Sequence, residues 1–109
     1  MMNGGMMFNK GDVVFVSFPY SDLSSSKKRP VVVLAEKGDD LIVCAITSNP
    51  DSEGLSLGEL QEGNLTFQSK VKYWNIFTFT KSLVVRKIGR INNNDHVQLI
   101  QKISNFIMV

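Results

Sequence analysis

Apolar residues in this chain come in short bursts, the longest being the six residues 41–46, and the bursts are rich in Val, Ile and Phe. Six residues suit one strand, whereas a membrane helix requires about 20 apolar residues in a row. A chain patterned this way is confined to strands until its period changes, and the change comes only near the C-terminus.

The first burst, residues 12–18, lies between Gly11 and Pro19. Proline cannot donate to a ladder, so it should close the strand. Residues 20–28 are polar and serine-rich and predict a loop, ended by Arg29-Pro30. Residues 31–35 and 41–47 flank a turn at 37–40, the pattern of a β-hairpin with both arms in the core. Residues 48–63 read as irregular chain with one short strand around 55–57. Strand composition returns at 65–67 and 71–80, with Ser69-Lys70 as a break or bulge. After a turn at Lys81-Ser82, residues 84–91 form the last strand, in which Gly89 marks a bulge or a close approach of two backbones.

Helical spacing then takes over. Asp95 with Gln98 has the form of a capping box, and Val97, Ile100, Ile103, Phe106 and Ile107 make an apolar stripe. Several short strands, one terminal helix and no βαβ alternation predict a mainly β fold, a small SH3-like antiparallel barrel with a C-terminal helix. With 109 residues, 43% of them hydrophobic, one core is the limit, so we expect a flexible N-terminus over 1–9 and a single domain over 10–109.

One cysteine, Cys44, and one histidine, His96, exclude an internal disulfide and any metal cage built on Cys or His. No metal or cofactor is expected. The first eight residues lack a secretory pattern and no apolar run would span a bilayer, so the expected location is the cytoplasm, away from membranes. His96, in the first helical turn, reads as a solvated or capping-region residue.

Net charge is only +2, yet residues 36–62 carry seven acids against one lysine, and residues 63–94 carry six bases and no acid. If strand pairing gathers Lys70, Lys72, Lys81, Arg86, Lys87 and Arg90 with Lys27, Lys28 and Arg29, the surface would suit a polyanion. There is no P-loop, HExxH or dinucleotide fingerprint. What remains is a set of polar residues at strand ends. The hairpin places Arg29 and Thr47 about equally far from its turn, so a guanidinium fork and a hydroxyl would face one site, a pairing suited to a phosphodiester. The plainer reading makes Arg29 a surface ion-pair partner and Thr47 a backbone cap. Tyr73 and Trp74 beside Lys70 and Lys72 suit base stacking or, equally, a dimer seam.

Residues 10–18, Arg29-Pro30 with 31–34, 43–48, 77–82 and 87–91 resemble, in order and interval, the PemK/MazF-type toxins. The resemblance spans about residues 10–107. It implies an SH3-like barrel that dimerises, an endoribonuclease of a toxin–antitoxin module that cuts single-stranded RNA without metal, and a cognate antitoxin as partner. It places Arg29 and Thr47 at the catalytic positions, with Lys28, Ser48, Lys70, Lys72, Tyr73 and Trp74 as substrate-binding candidates. The implied reaction is attack by the ribose 2′-hydroxyl on the adjacent phosphorus, giving a 2′,3′-cyclic phosphate and a 5′-hydroxyl.

The pattern departs from the family at two points: Trp74 stands where some members carry an acidic residue, and serines stand where some carry a first-loop histidine. Arg29 is therefore read as the stabiliser of phosphorane charge, with the proton passing through Thr47, water or another group. Two other classes remain open, a barrel that binds nucleic acid or peptide without cutting and a structural dimerisation module. The apolar tail 106–109 is read as shared surface in a homodimer.

Overall fold

The computed structural model describes residues 7–19 and 26–109. It has seven strands, β1 (Asp12–Pro19), β2 (Ser26–Lys37), β3 (Asp40–Thr47), β4 (Leu55–Ser56), β5 (Glu62–Gly63), β6 (Lys70–Thr80) and β7 (Val84–Arg90), followed by helix α1 (Asn93–Met108). They form one antiparallel sheet in the order β4-β6-β3-β2-β1-β7-β5. The sheet curls into a half-barrel with the helix against one face, as the strand pattern predicts.

The apolar runs are unbroken rather than alternating because the central strands bury both faces. Val13, Val32, Cys44, Val71 and Ile91 pack with Leu99 of α1 on one side. Val14, Val16, Val31, Val33, Leu41, Val43 and Phe79 pack on the other. Each such buried side chain contributes about 1.5–3 kcal/mol relative to exposure, so the two clusters together hold the sheet in its curl. Phe8 is buried in the second cluster and the Asn9 backbone N–H donates to Asp12 Oδ2 at 2.8 Å. The rest of the terminal segment, residues 1–6, lies outside the described residues, as does most of the serine-rich segment, 20–25.

The hairpin closes on Gly38-Asp39, with Lys37 opposite Asp40 and Gly38 at φ +58°, where a Cβ would be strained. Gly89 is a point of backbone approach, as its place in the sequence suggests: a Cβ there would sit 2.2 Å from the Glu62 carbonyl oxygen. That contact lets Glu62–Gly63 pair with β7 as a strand that no residue pattern announced.

Three expectations are corrected. Residues 65–67 are not a strand. They form an irregular segment tied down by its neighbours, Gln68 Nε2 donating to the Leu57 carbonyl and Ser69 Oγ to the Phe67 carbonyl. The helix is capped by Asn92 rather than by Asp95: Asn92 Oδ1 accepts the Asp95 N–H at 2.8 Å, and Asp95 Oδ2 accepts from Asn92 Nδ2 and the Gly58 N–H. Asp95 is thus the third helical residue, committed to loop and cap together. Lastly, the helical stripe does not all pack on the sheet. Of its residues Ile103 packs there, beside Leu99, which the stripe did not include, while Val97, Ile100, Phe106 and Ile107 are exposed.

Between Ala45 opposite Lys72 and Cys44 opposite Ile76, residues 73–75 of β6 have no partner on β3. This bulge reassigns the faces of the strand and decides which side chains reach the site.

Candidate active site

The β2/β3 register sets Val31 opposite Ala45, and carrying it two residues further brings Arg29 and Thr47 to one end of the sheet. Both line the same two clefts. The first, about 320 Å³, is walled by Val31, Ala45, Lys72, Asn75 and Phe77. The second, about 350 Å³, is walled by Phe15, Lys28, Ser48, Thr66 and Phe67. Neither has a carboxylate among its described lining residues, while three cations, Lys28, Arg29 and Lys72, open onto them.

Thr47 caps backbone and also lines both clefts. Its Oγ1 accepts the Asn49 N–H at 3.1 Å, and Asn49 Oδ1 in turn accepts the Asp51 N–H at 2.9 Å, so the loop leaves β3 through two stacked side-chain turns. Among the described residues the threonine hydroxyl hydrogen has no acceptor, so it remains available to a ligand in the cleft.

The other predicted residues divide. Lys28 and Ser48 join the second cleft and Lys72 the first. Lys70, opposite Thr47, turns instead to the loop, its Nζ donating to the carbonyls of Pro50 and Ser52 at 3.0 and 2.8 Å. Tyr73 lies on the helix side, its ring edge-on to Phe106 at 6.2 Å and beneath Lys102 Nζ at 5.7 Å, and Trp74 packs against Tyr73 at 5.0 Å. With the bulge, Asn75 rather than Tyr73 or Trp74 lines the first cleft beside Arg29. Asn75 and Phe67 are among the lining residues that sequence reading missed. The extra residues in β6 defeat counting along the strand, and residues 65–67 carry strand composition without being a strand.

The single basic surface expected from residues 63–94 does not form. Lys81 pairs with Glu36. Asp12 Oδ1 accepts Arg90 Nε at 3.1 Å and Lys87 Nζ at 3.4 Å, and Glu62 Oε1 takes Lys87 at 3.2 Å. The Arg86 guanidinium sits 5.2 Å from the centre of the Phe15 ring. Strand pairing thus places acids from elsewhere in the chain beside three of those bases, leaving the positive charge of the site to Lys28, Arg29 and Lys72.

His96 stays out of the site. Its N–H bonds the Asn92 carbonyl in the first turn of α1, and its buried Nε2 has no partner among the described residues. The Cys44 thiol, buried beneath the bulge and 3.8 Å from the Tyr73 carbonyl oxygen, is pushed up to about 12 by desolvation. Among the described residues no three His, Cys, Asp or Glu side chains are grouped to hold a metal ion, and no helix is long and apolar enough to cross a membrane.

A sequence model of the family described as PemK-like, MazF-like toxin of type II toxin-antitoxin system matches residues 9–107. A search of curated proteins finds no match. Among solved structures, an endoribonuclease from Mycobacterial species is similar at 13% identity and TM-score 0.67, over 92% of this chain and 90% of its own. An endoribonuclease in complex with its cognate antitoxin, also from Mycobacterial species, is similar at 14% and 0.63, over 98% and 95%. The Mycobacterium tuberculosis toxin MazF-mt6 is similar at 19% and 0.65, over 88% and 97%.

Proposed function

The chain belongs to the PemK-like, MazF-like toxins of type II toxin–antitoxin systems, and on that premise we propose that it is an endoribonuclease acting at the Arg29–Thr47 clefts on single-stranded RNA. One observation carries this reading: two clefts meet at a guanidinium and a hydroxyl, with Lys28 and Lys72 beside them and no carboxylate in the described lining. Such a site attracts a phosphodiester and repels nothing anionic about it.

RNA brings its own nucleophile. The 2′-oxygen attacks the adjacent phosphorus while its proton leaves, and the bond from phosphorus to the 5′-oxygen breaks as that oxygen gains a proton. The products are a 2′,3′-cyclic phosphate and a 5′-hydroxyl, and the step calls for no metal. A guanidinium stays protonated in proteins, so Arg29 serves as the fork that holds the non-bridging oxygens as their charge grows. Thr47, with its hydroxyl hydrogen available, donates to the same phosphoryl group or relays the 2′ proton to water. Lys28, Ser48 and Lys72 hold neighbouring parts of the strand. In this reading the toxin acts as a homodimer in the cytoplasm on mRNA, and a cognate antitoxin neutralises it by covering the positive clefts.

A second reading, a barrel that binds without cutting, is favoured by one feature: no carboxylate or imidazole lines the clefts among the described residues to take the 2′ proton. Incubating the pure protein with long single-stranded RNA and a chelator, then analysing the ends, separates the two. We expect fragments with cyclic phosphate and 5′-hydroxyl ends. RNA left intact at saturating protein overturns the nuclease reading.

A further inference from the structure

Phe67 is a large aromatic side chain left 70% exposed, although it is far from either end of the chain. Its surroundings do not look like accident. The segment is pinned from the ring's own carbonyl onward: the Leu57 N–H bonds the Ser69 carbonyl at 3.0 Å, Gln68 Nε2 bonds the Leu57 carbonyl at 3.0 Å, and Ser69 Oγ bonds the Phe67 carbonyl at 2.8 Å. Ser69 itself is buried, so a fixed base presents a solvent-facing ring.

That ring stands on a boundary. Phe67 lines the second cleft together with Lys28, Arg29 and Thr47, and it also lines a separate cleft of about 450 Å³ enclosed by residues 57–69. The larger cleft offers amide and hydroxyl groups of Asn64, Thr66 and Gln68 beside the ring, with the Glu59 carboxylate and Leu57, Leu60 and Leu65 in the rest of its wall. A cationic site for a phosphate, an exposed aromatic face next to it, and a polar recess beyond are the parts needed to hold a phosphate and the base attached to its nucleotide.

We propose that Phe67 is the stacking platform for one base adjacent to the scissile phosphate, and that the cleft of residues 57–69 receives that base. This rests on the reading of Arg29 and Thr47 as the place where the phosphodiester is held. An RNA occupant is favoured over a protein segment because the ring is continuous with Lys28 and Arg29 on one side and faces hydrogen-bonding groups on the other. An apolar peptide anchor would want an apolar recess. The residue adds sequence preference, since the polar groups of the recess meet the base edge while the ring accepts any base.

The test uses the full chain and two RNAs of mixed sequence: ordinary single-stranded RNA for cleavage, and a fluorescein-labelled 2′-O-methyl strand, which lacks the attacking hydroxyl, for binding. Because the ring is exposed, Phe67→Ala should fold normally, and thermal melting verifies it. We expect Phe67→Ala and Phe67→Leu to weaken binding of the 2′-O-methyl strand about tenfold, Phe67→Tyr to restore it, and the emission of Phe67→Trp to be quenched as the strand binds. Unchanged binding by Phe67→Ala, or full binding by Phe67→Leu, overturns the platform. So does a loss confined to antitoxin binding, which would assign the ring to a protein partner. The nuclease reading fails separately: a parent that binds the 2′-O-methyl strand through Phe67 yet leaves ordinary RNA intact keeps the platform and loses the nuclease.

Discussion

Strand β1 has an arginine on each of its two neighbours, Arg29 on β2 opposite Val16 and Arg90 on β7 opposite Asp12. The second is held by carboxylates, Asp12 at 3.1 Å and Glu62 at 3.9 Å. The first opens onto clefts lined by a hydroxyl, an amide and further cations, with no carboxylate among the described lining residues. One arginine closes the fold, tying β7 and the short β5 to β1. The other lines two clefts together with Thr47. Nothing in the local sequence separates Arg29 from Arg90. The sheet order separates them, by deciding which one joins β7 and β5 to β1 and which one lines a cleft with Thr47.

The largest way to break this comparison is Arg29→Ala. Loss of a charged contact to the phosphorane should lower the cleavage rate about a hundredfold or more while the melting curve hardly moves. A variant that still cuts at nearly the parental rate takes Arg29 out of the mechanism.

Asp12→Ala is its mirror image. The Asp12 carboxylate is almost wholly buried, whereas Lys87 and Arg90 keep a share of solvent and can rehydrate, so we expect a loss of about 2 kcal/mol in chemical denaturation, with cleavage per folded molecule unchanged. If activity fell with it, the two arginines would not be separable. Gly89→Ala attacks the same corner through sterics. A methyl group 2.2 Å from the Glu62 carbonyl forces β5 off β7, and a cost of about 1–3 kcal/mol should appear with faster amide exchange at Gln61, whose N–H bonds the Arg90 carbonyl.

The smallest effect sharpens the contrast most. Lys72→Ala and Lys87→Ala each remove one lysine, yet only the first opens onto a cleft. In RNA-binding titrations against salt, Lys72→Ala should reduce the slope by about 1 while Lys87→Ala leaves it unchanged. Equal slopes would mean that paired and cleft lysines meet RNA alike.

Much of the fold was written in local pattern. Runs of β-branched residues between turn formers locate β1, the β2/β3 hairpin, β6 and β7, and Gly89 announces a close approach before its partner is known. What was not legible depends on partners distant in sequence. Glu62–Gly63 becomes a strand only because Gly89 and the bases of β7 lie beside it. Residues 65–67 look like a strand and are held as loop by Gln68 and Ser69. At the clefts, the pairing of Arg29 with Thr47 follows from hairpin register and Lys72 arrives through the β3/β6 ladder, whereas Tyr73, Trp74 and Asn75 fall in a bulge that no residue pattern counted.

Beneath that bulge sits the chain's one thiol. Cys44 is buried on the strand that ends in Thr47, and its Sγ faces the carbonyl of Tyr73. Desolvation holds it neutral far past the ordinary range, so an alkylating reagent can reach a reactive thiolate only when β3 and β6 part. The unaltered protein therefore carries its own clock for local opening. The labelling rate of a single native atom would report how often β3 and β6 part, and whether a bound RNA or an antitoxin stills that motion.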